Sequence, residues 1–286
     1  MSNLRQDVTD ANQLIRLTPN QLLSRVFELA RDEHDEAHSH PWHQLLLPRK
    51  GMLRTRTPTD IYFIPSNRAA LIPAGSVHES WALTDARFAG IYFDPELFPY
   101  KLTECRIIEV TDFLDLLVSK SIDIGFNVEN KHTDRERRIL SVLMDEIAES
   151  PGVNLSVTVP DEKRLLPIVK EILTHPSSSK SLESWAKTAG ASERTISRLF
   201  QKHTGLGFAR WRQKVRMVSA LSMLEENIPI QQIALNVGYG SASAFTFAFR
   251  QEFGLSPQRY LGGGVGSSNP SFNGSPSSSG AAVGAT

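Results

Sequence analysis

Two groups of residues have the types and spacing to do chemistry. His38, His40 and His78 form one, with Gln44 four residues after the second histidine. Imidazoles gathered from strands can hold Zn²⁺, Ni²⁺ or Fe²⁺ through ring nitrogens, and without a metal they offer hydrogen bonds to a small molecule or to one another. The other group lies in the C-terminal third. Glu193, Arg194, Ser197, Arg198 and Lys202 lie along one helical stretch, and Ala242, Ser243, Thr246, Phe247 and Arg250 along a second. Cationic side chains facing phosphates bind nucleic acid through charge, and a guanidinium can contact guanine by two hydrogen bonds. Arg194 and Arg198 are expected on bases, Arg250 on phosphate. Phe247 is expected to touch a thymine methyl or to be buried.

The elements that position the second group are written twice. Ala186, Gly190, Ile196, Phe200, Gly205 and Trp211 recur as Ala234, Gly238, Phe245, Phe249, Gly254 and Tyr260, at an offset of 48 residues for the first two pairs and 49 for the rest. An internal repeat of this kind points to two related units. In each, a small Ala permits close helix approach, a Gly makes the turn, and apolar residues at i and i+4 tie the second helix to the first. Ser192 is expected to cap a helix over 193–203, and Ser241 or Ser243 to cap its counterpart; Ser192 and Ser241 therefore join the DNA-facing set. Between the units, 208–226 lacks Gly and Pro and carries Trp211, Val215, Val218, Leu221 and Leu224 at helical spacing. A rod of about 28 Å would place two helices in successive major grooves, which recur every ~34 Å.

The run from Ser181 to Leu261 resembles the DNA-binding domain of the AraC/XylS family of transcription regulators. The stretches that carry the likeness are Ile-Ala-x-x-x-Gly-Tyr at 233–239, Phe-x-x-x-Phe-Arg at 245–250 and Gly-x-Ser-Pro-x-x-Tyr at 254–260. The resemblance implies a bipartite reader of double-stranded DNA joined to a sensor domain. In the N-terminal half, His38, His40, Gln44, Gly51, Pro73, Gly75 and His78 resemble the two halves of a cupin barrel motif. In cupins two histidines of an H-x-H strand, a following Glu and a later His converge on a metal. Here the three histidines match, Gln44 replaces the Glu, and Asn67 stands where a Gly is usual. The implied pocket is lined by His38, His40, Gln44, His78 and Trp81, with a divalent metal on the three histidines as the candidate cofactor. Leu46, Phe63, Ile72, Phe88 and Tyr92 are candidate walls. His43 falls on the other side of its strand and is expected at the surface.

The expected fold class is α+β in two domains: an N-terminal cupin-like β-barrel with helices, and a C-terminal all-α tandem helix-turn-helix domain. A polar arm (1–22) precedes the barrel (23–105). Helices over 110–118 and 135–149 within 106–150 would pack on the barrel or form a homodimer interface. A linker (151–160) leads to the DNA-binding domain (161–262), opened by a helix that Asp161 caps with Leu166 buried, and a tail low in charge (263–286) is expected to be disordered. Net charge is zero, yet residues 176–262 hold 11 Lys and Arg against 5 Glu, so the basic charge sits in one half. The single Cys105 excludes an internal disulfide. No apolar leader or membrane span is read, and a cytoplasmic regulator, not an enzyme, is expected. Its expected partners are DNA, a small-molecule effector and RNA polymerase. A metal-dependent cupin enzyme fused to a DNA-binding domain is the competing reading.

Overall fold

The computed structural model describes residues 22–125 and 132–261. The expected arm up to residue 21 and the tail lie outside the described residues. Chain order within them begins with strands β1 (Leu22–Leu29), β2 (His34–His38), β3 (His43–Lys50), β4 (Leu53–Arg56), β5 (Asp60–Ile64), β6 (Arg68–Ile72), β7 (His78–Ala82), β8 (Ala86–Phe93) and β9 (Arg106–Glu109). Two helices follow, α1 (Asp112–Ile124) and α2 (Asp134–Glu149), then short strands β10 (Gly152–Val153) and β11 (Ser156–Thr158).

The strands form two antiparallel sheets, ordered β1-β8-β3-β6-β9-β10 and β11-β5-β4-β7-β2. No strand is shared between them, so the expected barrel is not closed. β3 is apolar on both faces for a structural reason. Leu46 points between the sheets, whereas Leu45 and Leu47 pack beneath Leu114, Leu117, Leu143 and Ile147 of α1 and α2. In β4, Leu53 and Thr55 point in while Arg54 and Arg56 point out, the alternation a one-sided strand requires.

Local signals placed α1 and α2 well but not their limits. Thr133 and Glu136 make the expected capping box. The expected helix over 110–118 runs instead from Asp112 to Ile124, because the Thr111 side chain accepts from the Leu114 N–H and sets the start.

The stretch expected as a linker is built into the sheets. Gly152 and Val153 pair with Ile108 and Ile107 of the first sheet, and residues 156–158 pair with 60–62 of the second. Leu155 and Val157 are fully buried, and through them the apolar interior runs into the helical half. That half contains α3 (Leu166–Thr174), α4 (Leu182–Thr188), α5 (Glu193–Thr204), α6 (Phe208–Glu225), α7 (Ile230–Asn236), α8 (Ala242–Phe253) and α9 (Pro257–Leu261). Asp161 does not cap α3. The helix starts five residues later, where Pro167 presets its first turn, and Leu166 is 46% exposed.

Candidate nucleic-acid interface and a buried histidine cluster

Helices α4 and α5 form one helix-turn-helix, and α7 and α8 the other. Gly190 and Gly238 take φ of +58° and +81° at the two turns, a conformation with little strain for glycine. Ser192 and Ser241 each accept from the N–H three residues on and so cap α5 and α8. Ile196, Leu199 and Phe200 of α5 are buried, as are Phe245, Ala248 and Phe249 of α8. This turns Glu193, Arg194, Arg198 and Lys202 outward, with Ser197 half-buried beside them. On α8, Ser243 and Arg250 are exposed, Ala242 and Thr246 are half-buried, and Phe247 is 68% exposed. Phe247 is therefore an outward aromatic, one of the two outcomes the sequence left open.

The cations divide sharply by element. Among the described residues, the side chains of Arg194, Arg198, Lys202 and Arg250 make no hydrogen bond or ion pair. Those of α6 are engaged within the chain. Arg210 pairs with Glu252, Arg212 donates to the Lys180 carbonyl, and the buried Lys214 donates to Asn154 Oδ1 at 2.6 Å. Arg216 donates to three carbonyls. Charge available to phosphates thus sits on the two recognition helices, not on the rod between them.

In the sheet half, β2 and β7 set His38 opposite His78, and the connection after β2 brings in His40. The ring centroids of His38 and His78 are 4.4 Å apart, and candidate ligand atoms of all three histidines lie within 4.8 Å of one another. Each Nδ1 faces a backbone carbonyl: Glu36 for His38 at 2.8 Å, Trp42 for His40 at 2.7 Å, Ser76 for His78 at 3.0 Å. A carbonyl can only accept, so Nδ1 carries the proton in the neutral ring and Nε2 keeps its lone pair. Burial holds the His40 imidazole below its ordinary range, with the Gln44 hydrogen bond opposing it, and pushes His78 down to about 3.

The Nε2 atoms of His38 and His78 are buried without a partner. His40 Nε2 lies 3.1 Å from the Gln44 amide, which also bonds the Tyr92 hydroxyl at 2.9 Å. Turning that amide by 180° lets its nitrogen donate to His40 Nε2 and its oxygen accept from the Tyr92 hydroxyl. Once the Gln44 amide turns off His40 Nε2, three lone pairs on neutral rings, each ring oriented by a carbonyl, suit a divalent cation.

A helix-turn-helix domain model matches residues 185–262. The chain is 27% identical over 229 residues to the HTH-type transcriptional regulator NimR of Escherichia coli K12, covering 78% of this chain and 81% of that protein. It is 32% identical over 108 residues to the HTH-type transcriptional regulator RipA of Corynebacterium glutamicum, covering 38% of this chain and 33% of that one. This is a transcription regulator with an AraC-type DNA-binding domain. A solved structure of ToxT from Vibrio cholerae spans 85% of the regulator and 98% of its own chain, at 12% identity and a TM-score of 0.36, too loose to carry an argument.

Two expectations for the regulator's sheet half fail, one on strand parity and one on what covers the strand. Trp81 does not face the histidines. In β7 the buried residues are His78, Ser80 and Ala82, and Trp81 turns to the outer face, beneath the Arg54 guanidinium at 4.7 Å. His43 is not at the surface. It does point away from the histidine cluster, but α1, α2 and the chain near Phe98 cover that side, so it is buried against Phe93 and Phe98 and accepts from the Ala74 N–H. The carbonyls of Glu36, Trp42 and Ser76 escaped sequence reading, since a backbone group has no residue type to signal it.

Proposed function

We propose that the regulator reads a bipartite operator through Ser192, Glu193, Arg194, Ser197, Arg198 and Lys202 of the first unit and Ser241, Ala242, Ser243, Thr246, Phe247 and Arg250 of the second. The observation that carries this reading is the division of cations, unpaired on α5 and α8 and engaged on α6. The first helix, with two arginines and a lysine outward, carries more of the base discrimination. The sensor unit is the cupin-like pair of sheets with α1 and α2, extended to residue 158 by β11, and the DNA-binding unit begins at α3. In the sensor, His38, His40, Gln44 and His78 receive the effector.

The donor set fits a divalent metal, for which the three histidines would be neutral ligands through Nε2. Bound there, the ion would hold an anionic oxygen donor at an open position. The polar side chain in contact with His40 Nε2 is the Gln44 amide, which is no general base, and this favours a binding role over an enzyme. The regulator acts in the cytoplasm as a homodimer and meets RNA polymerase at its promoters. Phe113 and Leu116 of α1, both at least half exposed, support the dimer. Among the described residues no helix is long and apolar enough to cross a membrane.

Selection of duplexes from a random pool at low salt, with and without added Zn²⁺ or Ni²⁺, tests the reading. Recovered sites should contain two conserved blocks about one helical turn apart, and metal should change their occupancy in the intact protein but not after His78→Ala. Recovery of no conserved sequence would overturn it. A turnover assay with loaded metal decides against the enzyme alternative if no product forms.

A further inference from the structure

We infer that Arg216 fixes the relative placement of the two recognition helices and thereby selects the separation of the operator half-sites; this rests on the bipartite reading above. Arg216 sits midway along α6, half-buried. Its Nε–H donates to the Pro176 carbonyl at 2.9 Å and its Nη2 to Ser178 at 3.1 Å, both in the approach to α4 and so in the first unit. Its Nη1 donates to the Gly238 carbonyl at 3.3 Å, in the turn of the second unit, and the guanidinium lies 5.8 Å from the Tyr239 ring. One planar fork therefore joins carbonyls from both units. Among the described residues, no other α6 cation bonds both units.

The rod alone cannot do this. A helix of 18 residues sets a length of roughly 27 Å, but each unit could still rock about its apolar contact with that helix. Three hydrogen bonds in a rigid geometry oppose such rocking, and a flexible ammonium cannot reproduce them together. Gly238 is matched to the fork. A Cβ there would stand 2.7 Å from Arg216 Nη2 and 3.0 Å from Ser177 Cα, so a side chain would push the turn off its partner. Arg216 is a positioning residue: half-buried and bonded inward, it lies away from the outward faces of α5 and α8.

A one-base-pair change in half-site separation displaces the second site by about 3.4 Å and turns it by about a tenth of a helical turn. The test uses the full chain and the selected operator, with the separation lengthened or shortened by one and two base pairs. Affinity is read by fluorescence anisotropy, and folding of each variant by thermal melting. The wild type should lose ~10-fold or more per base pair of displacement. Arg216→Lys and Arg216→Gln should bind the original spacing within ~5-fold and vary less than ~3-fold across the series, while Arg198→Ala should change base preference and keep the wild-type spacing profile. Failure of the wild type to bind any duplex sinks the bipartite reading. Wild-type tolerance of displaced half-sites, or folded Arg216 variants with the wild-type profile, overturns this inference and leaves that reading intact.

Discussion

Ile196 and Phe245 occupy the same place in successive units, and both are fully buried; Arg198 and Phe247, a matched pair on the outward faces, share nothing but exposure. The repeat is thus kept where side chains are enclosed and lost where they meet solvent. Close packing constrains volume on the inner side, since a cavity or a clash there costs stability. Nothing of the kind acts on the outer side, which is free to carry whatever a half-site demands. One scaffold therefore supports a cationic reading face on α5 and a less charged one, with an outward Phe247, on α8.

The largest effect should come from the shared interior. Phe200→Ala and Phe249→Ala each remove a fully buried ring, packed on Trp211 and Tyr260 respectively, and each should cost about 3–5 kcal/mol in denaturant unfolding. Markedly unequal losses would break the equivalence of the two units.

Next come the outer cations. Arg198→Ala should cost about 1–3 kcal/mol in binding and relax base preference at one half-site, whereas Arg250→Ala should weaken all sequences alike and lower the salt dependence. Matching profiles for the two mutants over a panel of site variants would erase the proposed difference between the faces. The caps test the same comparison at smaller scale. Ser192→Ala and Ser241→Ala should each destabilise by about 1 kcal/mol, read as a lowered melting temperature, because each removes one acceptor from a first turn. Phe247→Ala should be the mildest, leaving stability within about 0.5 kcal/mol and altering affinity only for sites with thymine at the contacted position. Loss of binding to every site would show α8 doing more than its residue types suggest.

How far the sequence could be read follows from the range of each interaction. Periodicity, cap residues and the Gly turns act within a few residues, so the two helix-turn-helix units, the rod and the Thr133–Glu136 capping box were legible along the chain. The three histidines were legible as a cluster because β2 and β7 pair His38 with His78 and His40 follows two residues after β2. Trp81 was misplaced by one strand position, since its outward turn depends on which face of β7 meets the other sheet. His43 was misplaced by what covers it, the helices contributed by residues 112–149.

What the amino-acid order determined by itself is a tandem of capped helices with its charge in one half, because those signals are local and additive. What only the tertiary structure decided is how groups far apart in the chain are used. It drew the stretch 151–160 into both sheets, bonded Arg216 to carbonyls 22 to 40 residues away, and left Arg194 and Arg198 without partners. The reason is that a side chain's partner is chosen by long-range packing, and the residue type alone records only what it is able to bond.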